Sequence, residues 1–269
     1  MPRLSLCASI ILCLHFAVAA TFADEPSPGA DLSSKLRKIP IVASVVNTPL
    51  KSKPKQIIIH LLNWHFVSRD DFATDLADSS DGKLSEAEIE RQYFEFLDDV
   101  EAIQKEQKQI LRYLIKNHEV RSVYLEGLTE KNLKAFNSLV KTLREFEVPE
   151  GNGAIDLFLK EQYRRDLMQL GVPAQLMITN ELKSVIPLEN SAAFKSANPN
   201  AENGKIQVDE KAEEKREDEM LKILRKGQGI NVIVLGGGHD LTDNLERMKL
   251  DSVQYIRVAT HRYKKVTAN

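Results

Sequence analysis

The chain has 269 residues, with 37 Lys or Arg against 39 Asp or Glu. A formal charge of −2 without a basic stripe argues against nucleic acid as a partner. Both cysteines, Cys7 and Cys13, fall in the first 23 residues, so the rest of the chain has no disulfide, no thiolate nucleophile and no zinc–cysteine site.

Those 23 residues read as an export signal. Arg3 supplies one positive charge, and Leu4 to Ala20 then carries no ionisable side chain except His15, so the run can enter a translocation path without dragging in charge. Small residues suited to cleavage precede Ala20 (Ala17-Val18-Ala19) and Asp24 (Thr21-Phe22-Ala23). The expected product is a periplasmic or secreted chain of roughly 245 residues, enough for one sizeable core. No later run is apolar enough to span a membrane.

Residues 24–55, rich in Pro, Ser and Lys, read as a poorly ordered leader before a domain over 56–265. Gln56 to Leu62 is a short, almost wholly apolar run rich in β-branched residues, the pattern of a strand buried on both faces. Further runs of this kind are Arg121 to Leu125, Ala174 to Ile178 (with Ser184 to Ile186 as a possible addition), Asn231 to Leu235 and Ser252 to Ala259.

Helical periodicity separates them. From Ser85 to Asn117, Tyr93, Phe96, Leu97, Val100, Ile103, Ile110, Leu111 and Leu114 recur at three and four. Lys131 to Phe146 and Ile155 to Leu170 repeat that spacing. Asp209 to Lys226 is charged on most faces but has Met220, Leu221 and Leu224 to bury, and Thr242 to Leu250 is a short helix. Residues 191–205 have the composition of a mobile loop. Strands alternating with helices predict a single α/β domain with a mainly parallel central sheet flanked by helices on both faces.

In such a sheet, ligands collect at the carboxyl ends of the strands. The first strand runs into Asn63-Trp64-His65-Phe66, the second ends in Glu126-Gly127, and the fourth ends in Gly236-Gly237-Gly238-His239-Asp240. Three strands thus deliver His65, Glu126 and His239 to one edge. Two imidazoles and a carboxylate suit either a divalent metal with open positions or a metal-free acid–base set. Asn63 and the three glycines are the backbone expected to come close to a ligand. That ligand is not a nucleotide: Leu241 stands where the third glycine of a dinucleotide fingerprint belongs, and no Lys-Ser/Thr follows.

Other motifs are weaker. Ala77 to Glu88 has the outline of a calcium loop, yet Ala77 replaces its first carboxylate, so Ser85-x-x-Glu88 reads more simply as a helix capping box. His60 lies mid-strand as a core histidine, and His118 ends the long helix, where a cation suits the dipole. His261 follows the last strand, facing either the site or solvent. Arg216-Glu217-Asp218-Glu219 reads most simply as a solvated face. The absence of a Gly-x-Ser-x-Gly elbow disfavours a serine hydrolase.

These motifs resemble the superfamily of erythromycin esterases, haem-binding ChaN-like lipoproteins and TraB/GumN/Tiki proteins, which share two G-x-x-H motifs and a glutamate after strands of an α/β fold. Gly236-Gly237-Gly238-His239 matches the second motif, His65 takes the place of the first histidine, and Tyr124-Leu125-Glu126-Gly127 resembles the glutamate strand. The segment around Arg216 to Met220 is similar to the family's arginine–acid segment, and Leu62 stands where its first motif usually has glycine. The likeness covers residues 56 to about 262. It implies an exported hydrolase of an ester, lactone or peptide, in which His65 and His239 bind a divalent metal or polarise water and Glu126 is base or third ligand. The alternatives it implies are a haem- or metal-binding protein using the same histidines, and a catalytically silent member of the fold.

Overall fold

The computed structural model describes residues 28–49, 53–79, 84–197 and 209–268. Its strands are β1 (Val42–Asn47), β2 (Gln56–Asn63), β3 (Ser122–Thr129), β4 (Ser184–Glu189), β5 (Gly229–Gly236) and β6 (Val253–Thr260). The helices are α1 (Pro28–Arg37), α2 (Arg69–Ser79), α3 (Glu86–His118), α4 (Leu133–Glu145) and α5 (Ala154–Ile178). They continue with α6 (Ser191–Ala197), α7 (Glu210–Leu224), α8 (Thr242–Arg247) and α9 (His261–Thr267). The strands form one sheet in the order β1-β6-β2-β5-β3-β4, parallel except for β1, which runs antiparallel to β6 at one edge.

Successive strand residues point to opposite faces, and the core divides accordingly. Ile57, Ile59 and Leu61 of β2, with Val232 and Val234 of β5, pack under α1, α3, α4 and α5. Their neighbours Ile58, Ile233 and Leu235 face the other way, against Met220, Leu221 and Leu224 of α7 and Leu245 of α8. Both faces are covered, which is why these strands read as unbroken apolar runs. His60 shares the α7 face, fully buried. Its nitrogens bond the Tyr255 hydroxyl (2.6 Å) and the Leu235 carbonyl (2.9 Å), and burial pulls its pKa down to about 4, so it is a neutral core histidine. Among the described residues, no helix is long and apolar enough to cross a membrane.

The structure differs from the expected elements in four places. Residues 174–178 are not a strand but the end of α5; Ala, Gln, Leu and Met are good helix formers, and the run is apolar because it is buried among other elements. Gly171 at φ 75° breaks α5 there, and Pro173 opens the second segment, as proline does in a first turn. The third strand is Ser184–Glu189 alone. The segment 24–55 is not all loose leader: Leu32 and Leu36 of α1 and Val42 and Val45 of β1 are buried in the main core. Residues 191–197 of the expected loop form α6, with Ala193 and Ala197 buried. The export signal and residues 198–205 lie outside the described residues.

Ser85 caps α3 by accepting from the Glu88 backbone N–H, but the Glu88 carboxylate turns to Arg91 and Gln92 instead of closing the capping box. Asp81 and Gly82 of the calcium-loop alternative lie outside the described residues. His118 ends α3, but partial burial and nearby Lys35 lower its pKa, contrary to the expected cation.

Candidate functional site

The sheet order puts β2, β5 and β3 side by side, so their carboxyl ends adjoin. Asn63 pairs with Gly236 and Leu125 with Val234, which sets Glu126 beside the end of β5 and His65 just beyond the end of β2. After Glu126, Gly127 adopts φ 73°, a conformation that costs glycine little, and β3 loses register with β4 there. Leu62 is buried inside β2 with an ordinary negative φ, so leucine at that position does not distort the strand.

The three expected side chains meet. His65 Nε2 lies 3.2 Å from Glu126 Oε2, and His239 Nε2 lies 3.3 Å from Glu126 Oε1. The Gly236 N–H donates to Glu126 Oε2 at 2.6 Å. A Cβ at Gly236 would fall 2.5 Å from His65 Nε2, so only glycine lets backbone, imidazole and carboxylate come this close. At Gly237 a Cβ would strike the Tyr263 hydroxyl at 1.6 Å; Gly238 has open space. The glycine run is thus a matter of close approach rather than phosphate binding.

Two residues from α7 and one from β4 complete the cluster. The Arg216 guanidinium, only 5% exposed, donates to Glu126 Oε1 (3.1 Å) and Glu189 Oε1 (2.6 Å), and also reaches Glu213 (3.3 Å). It lies over the Phe194 ring of α6, 5.0 Å from the centroid. Glu217 holds His239 Nδ1 at 2.9 Å. Glu189, the last residue of β4, has no exposed side-chain surface and also accepts from the Gly127 N–H at 3.3 Å. The Arg216–Glu219 segment is therefore not simply a solvated face: its first two residues turn into the site. Glu189 went unseen because the third strand was placed one element early. A strand ending in Glu-Asn at the sheet's ligand edge was the available signal.

These contacts set the charges. Burial opposes ionisation of His239, but its interactions with Glu126 and Glu217 outweigh that and raise its pKa to about 9. His239 is therefore an imidazolium that donates from Nδ1 to Glu217 and turns Nε2 toward Glu126. Burial likewise works against the Glu126 carboxylate, yet its interactions with His239 and His65 hold it well below the ordinary range. The interaction with the Glu126 carboxylate raises His65. Burial opposes the charge on Arg216, but its bond to Glu189 keeps it firmly cationic.

Glu126 Oε1 accepts from Arg216 and Oε2 from the Gly236 N–H, with His239 and His65 3.3 and 3.2 Å away, so a divalent metal on this carboxylate would have to displace the protein's own donors. Among the described residues, no group of three His, Cys, Asp or Glu is placed to hold a metal ion.

Two cavities open on the cluster. One, of about 570 Å3, is lined by Trp64, Val67, Phe72, Leu76 and Phe96, with Asn63, His65, Gly236–Gly238 and His239 at its inner wall. The other, of about 480 Å3, lies between β3, α4 and α5 and shares Asn63 and His65 with the first. His261 takes no part: it opens α9, exposed, with its N–H on the Ile41 carbonyl. No protein-family model matches the chain, and neither a curated protein nor a solved structure matches it.

Proposed function

We propose that the chain is a metal-free hydrolase of an ester, lactone or peptide, exported and acting outside the cytoplasm. The observation that carries this reading is the close His65–Glu126 pair, 3.2 Å apart, at the wall of an apolar cavity. Glu126 is ionised, so His65 turns a protonated Nε2 toward it, which leaves Nδ1 as a base when the ring is neutral. Nδ1 makes no hydrogen bond among the described residues, and the side chain is 52% exposed. In the proposed step, His65 takes a proton from water as the oxygen attacks the carbonyl carbon. The resulting oxyanion is met by the Gly238 N–H, which has no partner among the described residues. Collapse breaks the bond to the leaving oxygen or nitrogen, and His65 returns the proton to it. Glu126, Arg216, Glu189 and Glu217 are positioning residues, fixing the tautomer of one ring and the charge of the other. The resemblance to the erythromycin esterase superfamily supports this reading.

The test is hydrolysis of a panel of uncharged esters, lactones and peptides in the presence of a chelator. Turnover that survives chelation and is lost in His65→Ala supports the proposal. Turnover that disappears on chelation and returns with a divalent ion overturns its metal-free step. A second reading, haem binding, is favoured by the aromatic wall of Trp64, Phe72 and Phe96 beside His65. Haem added to the protein would then give an absorption band that is lost in His65→Ala, without turnover of any ester.

A further inference from the structure

We infer that the two cavities act as one bipartite cleft for a ligand without anionic groups, with an apolar limb in the first and a hydroxyl- or amide-bearing limb in the second. Both cavities are lined by Asn63 and His65, His239 faces the first, and Glu126 faces the second. The trio of His65, Glu126 and His239 is therefore the bridge between them, and a ligand filling both places its central bond against His65. Each volume falls within the range of small-ligand sites, and together they exceed what a single short acyl chain fills.

The linings differ in a way that assigns the limbs. Outside the shared wall, the first cavity offers mainly Trp64, Val67, Phe72, Leu76 and Phe96, with the carboxylate of Asp75 beside them. The second offers the exposed amide of Gln169 and the second N–H of the Asn132 amide, set among Leu128, Phe136 and Leu139, while the Gln104 amide is held by Met168 and Gln175. Amides exchange hydrogen bonds with hydroxyls or peptide groups and repay little to an alkyl chain. No Lys or Arg lines either cavity. Arg216 is committed to Glu126, Glu189 and Glu213, and His239 to Glu126 and Glu217. With these cations already neutralised and the Asp75 carboxylate on the first wall, an anionic limb would find no free partner beyond His65, so neither limb is anionic.

This assignment rests on the hydrolase reading only for which bond is cut, so binding is measured with an ether that cannot be hydrolysed. Trp64 is the only tryptophan of the chain and lines the first cavity, which makes its fluorescence a direct reporter. The probes are 1-O-octylglycerol, which has both limbs, 1-octanol, which has one, and octylglycerol phosphate, which adds charge. Octylglycerol should change Trp64 emission saturably and bind more tightly than octanol. Leu76→Asp should weaken both by about tenfold or more by placing a carboxylate in the apolar wall. Ala135→Phe lies on an exposed position of α4 that lines only the second cavity. It should weaken octylglycerol about tenfold and leave octanol unchanged, and it keeps the test decisive if Leu76→Asp loosens α2. Equal responses of the two probes to Ala135→Phe, or phosphate binding as tight as that of octylglycerol, would overturn the inference. Hydrolysis of octanoylglycerol is scored separately: binding as expected without turnover leaves the cleft standing and removes the hydrolase.

Discussion

Replacing Glu126 with Gln removes one proton-accepting oxygen and leaves the shape of the site almost unchanged. The carboxylate accepts from Arg216 on one oxygen, with His239 3.3 Å away, and from the Gly236 N–H on the other, with His65 3.2 Å away. An amide can present its oxygen to only one of those pairs. The favoured orientation keeps oxygen on the two cations and turns the NH2 toward His65 and Gly236. His65 can respond by changing tautomer, but the Gly236 N–H cannot. That orphaned donor costs ~1–3 kcal/mol. Losing the negative charge beside Arg216 and His239 adds to it, although Glu189 and Glu217 remain as partners. The expected destabilisation is about 3 kcal/mol, at the lower end of what breaking a buried pair costs. With a urea dependence of ~2–3 kcal/mol per M, the unfolding midpoint should fall by about 1 M. The assay is urea unfolding at pH 7, followed by Trp64 fluorescence and far-ultraviolet circular dichroism. The His239 ring signal should titrate well below its parent value of about 9. A midpoint unchanged within error, with His239 still titrating near 9, would refute the reasoning: Glu126 would then not be the acceptor that organises the cluster.

Four further outcomes follow. Gly236→Ala meets no backbone strain, since its φ is not positive, but its Cβ displaces the half-exposed His65 ring. Unfolding should shift by no more than about 1 kcal/mol while kcat/KM for a cleaved ester falls ~10²-fold; equal activity would place His65 elsewhere. Stability itself should depend on pH through His239. Its folded pKa is raised from 6.5 to about 9, so its contribution of about 3 kcal/mol is complete below pH 6.5 and is lost as pH rises through 9. Glu126 acts in the opposite sense. Its depressed value means that its contribution is present above the ordinary carboxylate range and lost only in stronger acid. Thermal unfolding from pH 4 to 10 should therefore show a plateau between roughly pH 5 and 6.5 and a decline toward 9, and a flat alkaline limb would contradict this. For the proposed hydrolysis, kcat/KM should rise with a midpoint above 6.5 as His65 loses its proton, and Glu126→Gln should move that midpoint down. Arg216→Lys retains the charge but not the fork that joins Glu126 and Glu189. A loss of ~2 kcal/mol in urea unfolding is expected, and full retention would show that the charge alone suffices.

The strands β2, β3, β5 and β6, the helices α3, α4 and α7 and the sheet edge those strands share were legible from local pattern. A strand covered on both faces has nowhere to put a polar side chain, so Gln56 to Leu62 and Asn231 to Leu235 announce themselves and so do their carboxyl ends. His65, Glu126 and His239 could be named because each follows such a run. The long amphipathic stripe and its Ser85 cap were readable for the same reason: neighbours at three and four decide them. Residues 174–178 misled because a short buried apolar run looks the same in a helix and in a strand, and with them went Glu189. Arg216 and Glu217 could not be told from surface charges by composition, since what buries them is the carboxylates of β3 and β4 and the imidazole after β5, distant in the chain. The order β2-β5-β3, which puts those ends together, is set by how crossovers pack on a twisted sheet rather than by any local pattern. The protonation states of the cluster belong to the folded molecule alone, because the groups that hold the Glu126 carboxylate below its ordinary range against burial come from segments distant in the chain.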